Sequence, residues 1–435
     1  MHGVVAIVGR PNVGKSSLFN RIVGERLSIT DDASGITRDR LYAKTSWLTR
    51  EFSVIDTGGI ILKDEPFSKE IRAQATLAID EADVIVMVVD IHAGITNLDE
   101  DVIHILRSSD KPLIVAANKT DDVNFKDLMY EFYALGVEHV VPVSALHGIG
   151  IGDLLDLVIS LLPDKNTQDY DEKTLRFCLI GQPNVGKSTL TNAILGEERV
   201  IVSDIPGTTR DAIDSKFKRN ARDYVVIDTA GIRKQGKIYE NAEKYSVIRA
   251  IRAIERSQIV VVVLDATQGI LEQDKRIAGY AREYNRAVLI VVNKWDLIEK
   301  DSKTMKAFEE QIRAHFLYLD FAPIIFLSAK EHKRIHFLLD EIDQVYENFN
   351  RRVPTNVLND VLHDAILLNQ PPMFNGNRLR LSYATQSDVE PPTIVLFVNN
   401  ETHMHFSYLR YLENKVRQTF DFSGTPIKFV LRKKE

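Results

Sequence analysis

The sequence repeats itself, and this repetition constrains the fold more than any other feature. The segment GRPNVGKS begins at Gly9, and GQPNVGKS begins at Gly181, 172 positions later. The same spacing of 172 separates GITRD from GTTRD and DTGG from DTAG, whereas NKTD and NKWD lie 175 positions apart and two Ser-Ala pairs lie 184 apart. Because five motifs recur in one order, the chain is predicted to be a tandem duplication of a domain of about 160–175 residues.

Each copy alternates short apolar runs with longer amphipathic stretches. Runs rich in β-branched residues are typical of strands buried on both faces, so each copy is predicted to hold a parallel sheet covered by helices. This alternation gives a doubly wound α/β domain with a mostly parallel sheet, which binds ligands at the carboxyl ends of its strands. The predicted strands are Val4–Val8, Phe52–Ile55, Val84–Val89, Leu113–Ala117 and His139–Val143 in the first copy, and Phe177–Ile180, Tyr224–Ile227, Ile259–Leu264, Val288–Val292 and Ile324–Leu327 in the second.

Two polar segments divide the chain. PDKNTQDYDEK runs from Pro163 to Lys173 and has the composition of a linker, and a second boundary lies near Asn350, ahead of Pro354. We therefore predict a first repeat domain over residues 1–163, a linker over 164–173, a second repeat domain over 174–349 and a third domain over 350–435.

The overall composition excludes several classes of protein. The 435 residues are 44% hydrophobic and 27% charged, and the net charge of −6 argues against a protein that is basic all over, as a nonspecific nucleic-acid binder would be. Cys178 is the only cysteine, which excludes an internal disulfide and a cysteine-ligated zinc site and suits a reducing cytosol. The N-terminus has no signal-peptide pattern and no apolar run reaches the length of a membrane span, so we expect a cytoplasmic protein without a membrane partner.

The motifs GRPNVGKS and GQPNVGKS fit the phosphate-loop pattern G-x-x-x-x-G-K-[ST]. Their glycines let backbone N–H groups surround phosphate oxygens, and the helix that follows presents its positive N-terminal dipole. Lys15 and Lys187 are predicted to reach the β- and γ-phosphates, and Ser16 and Ser188 to bind Mg²⁺.

Two further motifs are expected to complete the magnesium and γ-phosphate site. Asp56 and Asp228 end predicted strands, where such a carboxylate holds Mg²⁺. Thr37 and Thr209 lie in glycine-containing loops and can add a hydroxyl ligand only when the γ-phosphate is present, which would order each loop according to the nucleotide state.

The motifs NKTD and NKWD identify the base. Guanine offers N1–H and a 2-amino group to a carboxylate, which Asp121 and Asp296 are predicted to bind, whereas adenine presents an acceptor that would repel them. A site built to satisfy such hydrogen bonds rejects an analogue that lacks them by about 10⁴-fold or more. The Ser-Ala pairs that begin at Ser144 and Ser328 can add a backbone N–H toward guanine O6.

Ras-type GTPases place a glutamine directly after the motif that corresponds to DTGG and DTAG, where it orients the attacking water. This chain has Ile60 and Ile232 at those positions. Either hydrolysis is slow or another group assists. The phosphate-loop residues Asn12 and Asn184 are candidates to bind a monovalent cation that replaces an arginine finger, and the alternative is that they only fix the loop's shape. Arg38 and Arg210 are rival arginines, each beside an aspartate that could pair with it (Asp39 and Asp211).

The predicted nucleotide sites comprise the following residues. The first site consists of Gly9, Arg10, Pro11, Asn12, Val13, Gly14, Lys15, Ser16, Ser17, Asp56, Thr57, Gly58, Gly59, Ile60, Asn118, Lys119, Thr120, Asp121, Ser144 and Ala145. The second site consists of Gly181, Gln182, Pro183, Asn184, Val185, Gly186, Lys187, Ser188, Thr189, Asp228, Thr229, Ala230, Gly231, Ile232, Asn293, Lys294, Trp295, Asp296, Ser328 and Ala329.

These motifs together resemble those of the bacterial double-GTPase family called EngA or Der. The resemblance covers almost the whole chain, and its most specific element is the tandem GxPNVGKS, because other Era-like GTPases carry one copy. It implies two P-loop GTPase domains, a small KH-like α+β domain, and GTP hydrolysis with a hydrophobic residue at the usual glutamine position. It also implies Mg²⁺ and, through Asn12 and Asn184, K⁺ as cofactors, with GTP as substrate and GDP as product.

The resemblance further implies a role in assembling the large ribosomal subunit, with that subunit or its rRNA as the partner. We expect a monomer with no DNA partner. An alternative is a GTPase that regulates RNA modification, but the sequence has no catalytic-cysteine, folate or methyltransferase motif. A membrane-remodelling GTPase would need a basic membrane helix or a long stalk, which the sequence also lacks. The two motif sets are too alike to say which site hydrolyses GTP faster.

The third domain carries no nucleotide motif. Its predicted elements, in the order αββαβ, are Thr355–Asn369, Arg378–Tyr383, Thr393–Val398, Phe406–Phe420 and Ile427–Leu431. Residues 350–435 include 11 Lys and Arg and 8 Asp and Glu, which gives this segment a net charge of +3, whereas the rest of the chain has a net charge of −9. KH domains clamp RNA with a GXXG loop, which this sequence lacks, so the domain is expected to contact rRNA backbone or a ribosomal protein or to pack between the GTPase domains.

Overall fold

The structure, a computed structural model, describes residues 3–24, 42–59, 74–76, 78–163, 174–197, 200–202, 214–227, 243–374 and 377–433. These residues form two compact units. The first unit contains the sheet of the first repeat, and the second contains the sheet of the second repeat together with the C-terminal domain. The predicted linker, residues 164–173, lies outside the described residues. No helix in the described part of the chain is long and apolar enough to cross a membrane.

The first repeat folds around one sheet that shows six strands within the described residues. The strand order is β2-β3-β1-β4-β5-β6, and all neighbours are parallel except β2 and β3. The strands are β1 Gly3–Val8, β2 Tyr42–Trp47, β3 Arg50–Asp56, β4 Val84–Asp90, β5 Leu113–Asn118 and β6 His139–Pro142. The helices are α1 Lys15–Val23, α2 Asn97–Leu106 and α3 Ile151–Leu161, with 3₁₀ segments at Thr57–Gly59 and Val123–Leu135.

The second repeat has the same core order with one more edge strand. Within the described residues its seven strands follow the order β13-β12-β11-β7-β10-β9-β8. They are β7 Leu175–Ile180, β8 Ile201–Val202, β9 Ser215–Arg219, β10 Arg222–Ile227, β11 Ile259–Asp265, β12 Ala287–Asn293 and β13 Ile324–Phe326. The helices are α4 Lys187–Leu195, α5 Glu243–Arg256, α6 Glu272–Glu283, α7 Thr304–His315 and α8 Ile335–Phe349, with 3₁₀ segments at Trp295–Leu297 and Leu317–Leu319.

The predicted doubly wound α/β class is confirmed for both repeats. Every residue of the central strands β11 and β12 is buried, because helices cover both faces of a parallel sheet. The antiparallel strands β2 and β9 were not predicted. Their sequences, YAKTSW and SKFKR, are half-exposed and polar, so they lack the continuous apolar run that marked the other strands.

The C-terminal domain is an α+β layer. Its elements are α9 Thr355–Leu368, β14 Met373–Phe374, β15 Asn377–Arg378, β16 Leu381–Asp388, β17 Thr393–Val398, a 3₁₀ turn at Glu401–His403, α10 Phe406–Thr419 and β18 Lys428–Lys433. Strand β17 is central, antiparallel to β16 and parallel to β18, and the two helices pack on one face. The predicted strand Arg378–Tyr383 is wrong in its bounds. The side chain of Asn399 bonds the N–H of Arg380 and the C=O of Arg378, so these groups leave the ladder that starts at Leu381.

The C-terminal domain docks on the second repeat through Gly424. The N–H of Val288, near the start of β12, donates to the C=O of Gly424 at 2.7 Å, and the N–H of Gly424 donates to the C=O of Phe321 at 2.8 Å. The side chain of Asn348 adds a bond to the C=O of Ser423 at 3.1 Å. These contacts lie at the amino ends of the strands, so the domain sits on the edge opposite to the strand ends that carry the motifs.

Substituting Gly424 with alanine should weaken this docking. A Cβ there would lie 2.3 Å from a methyl carbon of Val345, on a backbone with φ of +74°. Gly269→Ala is the matched control, because Gly269 has φ of +72° but nothing within 4 Å of the added Cβ. We expect Gly424→Ala to lower the stability of the chain by about 2 kcal/mol more than Gly269→Ala in thermal unfolding. Equal losses of stability in the two variants would show that the structure relieves the close contact with Val345 at no cost in free energy.

Candidate functional site

The motifs of each repeat converge at the carboxyl ends of the parallel strands. In the first repeat the phosphate loop follows β1, Asp56 ends β3, Asn118 ends β5, and Ser144 follows β6. Because β3, β1, β4 and β5 are neighbours in the sheet, these segments lie side by side. The second repeat places its phosphate loop, NKWD motif and Ser-Ala pair in the same way on β7, β12 and β13. Each repeat therefore holds its own cleft.

Close backbone approaches explain the glycines of the phosphate loops. A Cβ on Gly14 would lie 2.2 Å from Nδ2 of Asn118, and one on Gly186 would lie 2.3 Å from Nδ2 of Asn293. Both glycines have positive φ, 96° and 98°, directly before α1 and α4. No other residue type fits this combination of backbone and space. The loop is therefore held in the same shape in both repeats.

The loop lysines are tied back to their own loops. Lys15 Nζ donates to the C=O of Gly9 at 2.6 Å and of Arg10 at 2.8 Å. Lys187 Nζ makes the equivalent bonds in the second repeat, at 2.8 Å and 2.6 Å. Burial lowers the pKa of Lys187 to about 8. An anionic ligand in the cleft would stabilise its charged form.

Ser16 and Asp56, which are predicted to bind Mg²⁺, lie in hydrogen-bond contact. Ser16 Oγ donates to Asp56 Oδ2 at 2.9 Å, and Asp56 Oδ1 accepts from the N–H of Gly58 at 2.8 Å. A hydroxyl beside a carboxylate is the hard oxygen set that Mg²⁺ takes in phosphate-binding enzymes. Ser188 is the second residue of α4. The other predicted residues of this region lie outside the described residues: Thr37, Arg38, Ile60, Thr209, Arg210, Asp228, Thr229, Ala230, Gly231 and Ile232.

A buried asparagine joins the phosphate loop to the Ser-Ala loop. Asn118 Nδ2 donates to the C=O of Val13 at 2.7 Å, and its Oδ1 accepts from the N–H of Ala145 at 3.0 Å. Asn293 makes the same two bonds, to Val185 at 2.8 Å and from Ala329 at 3.0 Å. The sequence motif identified these residues, but it gave no sign that their side chains bridge two loops.

The motif lysines pair with aspartates that the sequence reading missed. Lys119 Nζ lies 2.5 Å from Asp90 Oδ2, and Lys294 Nζ lies 2.6 Å from Asp265 Oδ2. Burial acts to raise the pKa of each aspartate, but the hydrogen bond and the charge of the lysine, together with a backbone N–H donor, outweigh burial and lower the pKa. Both aspartates end a central strand, β4 or β11, which is the signal that could have revealed them.

The predicted base-recognition aspartates face the Ser-Ala loops. Ser144 Oγ donates to Asp121 Oδ1 at 2.6 Å. A hydrogen bond from Ser328 lowers the pKa of Asp296, so this carboxylate is ionised and accepts hydrogen bonds. Asp296 Oδ1 is buried without a hydrogen-bond partner among the described residues. An unsatisfied acceptor here suits a ligand that donates N–H groups.

The loop asparagines Asn12 and Asn184 are exposed and share a left-handed backbone with φ of 65°. Asparagine is one of the few residues that adopt this conformation readily. The backbone thus accounts for the residue type, and the exposed amide stays available to a cation.

Arg21 distinguishes the first site from the second. Its guanidinium donates to the carbonyls of Ala145, at 3.1 Å, and Leu146, at 2.5 Å, so it braces the Ser-Ala loop. These residues line a cavity of about 250 Å³ together with Ser17 and Gly24. The equivalent position of the second repeat is Ala193, which cannot make these bonds.

Comparison with known proteins agrees with this arrangement. A family described as "50S ribosome-binding GTPase" matches residues 4–119 and 176–294, and a family described as "KH-domain-like of EngA bacterial GTPase enzymes, C-terminal" matches residues 352–432. The chain is 58% identical over 432 residues to GTPase Der of Bacillus cytotoxicus, covering 99% of each chain. It is 59% identical over 429 residues to GTPase Der of a Geobacillus species, covering 99% of this chain and 98% of that protein.

Removing the asparagine bridge should weaken nucleotide binding. Asn118→Ala leaves the C=O of Val13 and the N–H of Ala145 buried and unpaired. Each unpaired group costs about 1–3 kcal/mol of stability. We expect the affinity of the first site for GDP to fall about tenfold or more, measured by calorimetric titration. Asn359→Ala is the matched control, because this amide bridges Ala384 in the C-terminal domain with two bonds of 2.8 Å. Unchanged affinity in Asn118→Ala would mean that the bridge does not position the loops.

Proposed function

The chain belongs to the GTPase Der family, and from this premise we propose that it is a GTP-driven switch that acts in the assembly of the large ribosomal subunit. As a member of that family it binds and hydrolyses GTP. The observation that carries the ribosomal part of the proposal is that the C-terminal domain docks on the second repeat at the sheet edge opposite to the nucleotide motifs of that repeat. The description of the matched family as ribosome-binding supports the same partner.

We assign the phosphate chemistry to the phosphate loop and its neighbours. Lys15 and Lys187 would exchange their bonds to loop carbonyls for bonds to the β- and γ-phosphates. Ser16 with Asp56, and Ser188 with Asp228, would hold Mg²⁺, to which Thr37 and Thr209 would add a ligand in the GTP state. The short Ser16–Asp56 contact supports this assignment in the first site.

We assign guanine recognition to the carboxylates of Asp121 and Asp296. Each would accept hydrogen bonds from N1–H and the 2-amino group, while the serine that now donates to it fixes its orientation. The backbone N–H of Ala145 already donates to Asn118, and that of Ala329 donates to Asn293. Each asparagine would therefore shape the Ser-Ala loop near guanine O6.

The ribosome-facing surface is proposed to be the basic end of the C-terminal sheet, formed by Arg378, Arg380, Arg432 and Lys433. Strand register brings these residues together, because Leu381 and Lys433 both pair with Val398. All four side chains are exposed. Two other basic residues of the C-terminal domain make contacts outside this surface. Arg417 donates to the carbonyls of Phe422 and Thr425, and Arg410 lies beside Leu317 and Asp320 of the second repeat.

RNA modification is the weaker alternative. The cysteine that such chemistry would use as a nucleophile is represented only by Cys178, which is fully buried in β7. We place the protein in the cytoplasm, where it would meet ribosomal subunits.

Cosedimentation with purified large subunits tests the proposal. We expect binding with a non-hydrolysable GTP analogue and much less with GDP. The variant Arg380→Ser/Arg432→Ser should weaken binding at low salt and reduce the salt slope by about 1–2, because each lost phosphate contact removes close to one unit. Arg410→Ser is the matched control and should bind normally. Absence of binding in both nucleotide states would remove the ribosomal role.

Potassium is proposed to assist hydrolysis at Asn12 and Asn184, in place of the missing glutamine. GTP turnover should be faster in potassium than in sodium buffer of equal ionic strength, because only a cation of matching size fills the site beside the phosphates. Asn12→Ala/Asn184→Ala should abolish the difference between the two buffers. If the unmodified chain hydrolyses GTP at the same rate in potassium and in sodium buffer, the two asparagines only fix the shape of the loop. Arg38 and Arg210 then become the next residues to substitute.

A further inference from the structure

The second residue of the phosphate loop differs between the repeats. The first repeat has Arg10 and the second has Gln182, while the six residues that follow, PNVGKS, are identical. Arg10 Nε lies 3.3 Å from Asp99 Oδ2, an ion pair between the loop and α2. In the second repeat the amide of Gln182 hydrogen-bonds Asp274 of α6. The loop is thus attached to the neighbouring helix in both repeats, by a charged contact in one and a neutral donor in the other.

The two aspartates hold equivalent positions, although Asp99 Oδ2 also accepts from the hydroxyl of Thr96 at 2.7 Å and Leu271 has no such group. Each is the third residue of its helix and accepts from the backbone N–H ahead of it, Asp99 from Thr96 at 3.1 Å and Asp274 from Leu271 at 3.0 Å. Both are almost fully buried, with 0% and 3% of the residue exposed. Their capping of the backbone is therefore shared, and what changes is the hydroxyl ahead of the helix and the charge of the loop residue.

Within the described part of the chain, this change of charge leaves Asp274 without an ion pair, although the charge of Lys187 acts on it from a longer distance. The Oδ1 atoms of Asp99 and Asp274 are both buried without a hydrogen-bond partner among the described residues, so the ion pair is what separates the two carboxylates. Burial raises the pKa of Asp274, and the nearby carboxylate of Asp265 acts in the same direction. In the first repeat Arg10 not only pairs with Asp99 but also helps to lower the pKa of Asp90. The second site thus has one positive charge fewer beside its phosphate loop.

We propose that the Arg10–Asp99 pair makes the first site bind the phosphates of guanine nucleotides more tightly than the second, where Gln182 forms no ion pair with the buried carboxylate of Asp274. Arg10 and Gln182 project from the loop that surrounds the phosphates, so a charge on them acts at short range. One unit charge at about 10 Å, in the intermediate dielectric of a protein cleft, changes the affinity for a multiply charged phosphate group by about tenfold. The second site would then be the one that empties first when nucleotide becomes scarce.

The test measures GDP affinity one site at a time in the full-length chain. Lys187→Ala disables the second site and reports the first, and Lys15→Ala does the reverse. In the first site, Arg10→Gln should weaken GDP binding about tenfold, and Arg10→Gln/Asp99→Asn should restore it. In the second site, Asp274→Asn should strengthen binding about tenfold. The differences in GDP affinity between the variants and the unmodified sites should become smaller between 0.1 M and 1 M salt, because added ions shorten the range of charge interactions.

The double variant separates charge from shape. Arg10→Gln/Asp99→Asn keeps side chains that can hydrogen-bond but removes both charges, so restored affinity would come from charge balance alone. If the double variant binds as weakly as Arg10→Gln, the geometry of the ion pair matters and the proposal is wrong. Unchanged affinity in Asp274→Asn would overturn it independently, because this isosteric change removes a buried charge and should fold well. Neither measurement uses ribosomes, so both are independent of the assembly role.

Discussion

The buried asparagine that ends β5 in the first repeat and β12 in the second is the contact on which each nucleotide site depends. Its two hydrogen bonds fix the phosphate loop and the Ser-Ala loop relative to one strand end, in both repeats and with nearly equal lengths. Its amide also occupies the space where a side chain on Gly14 or Gly186 would lie, which explains the glycine. The two loops that we assign to opposite ends of the nucleotide are thereby held by a single residue.

Duplication kept this backbone framework and varied the side chains around it. On strand β2, Trp47 Nε1 donates to Asp156 at 2.6 Å in the first repeat, and on strand β9 Arg219 takes the same place against Asp340 at 2.6 Å in the second. The Arg10–Asp99 and Gln182–Asp274 contacts follow the same pattern at the phosphate loop. Substitutions of this kind preserve a contact while changing its charge, which is how two sites with identical motifs can come to differ in affinity.

Sequence reasoning recovered the parts of the fold that have a strong local pattern. The buried strands β4 and β11 and the start of α1 at the phosphate loop were predicted because apolar runs and glycines mark them directly. The antiparallel strands β2 and β9 were missed because their largely polar, partly exposed sequences carry no such mark. Contacts between distant segments were also missed, since the Asn118 bridge and the docking of Gly424 depend on register and separation that no local pattern encodes.

The most direct test of two complete and independent nucleotide sites is a count of bound GDP per chain by equilibrium dialysis at saturating nucleotide. Two independent sites predict two GDP molecules for the unmodified chain and one for each of Lys15→Ala and Lys187→Ala. A single GDP bound to the unmodified chain would show that one cleft is not a nucleotide site. Loss of both nucleotides after either substitution would contradict the independence of the two repeats.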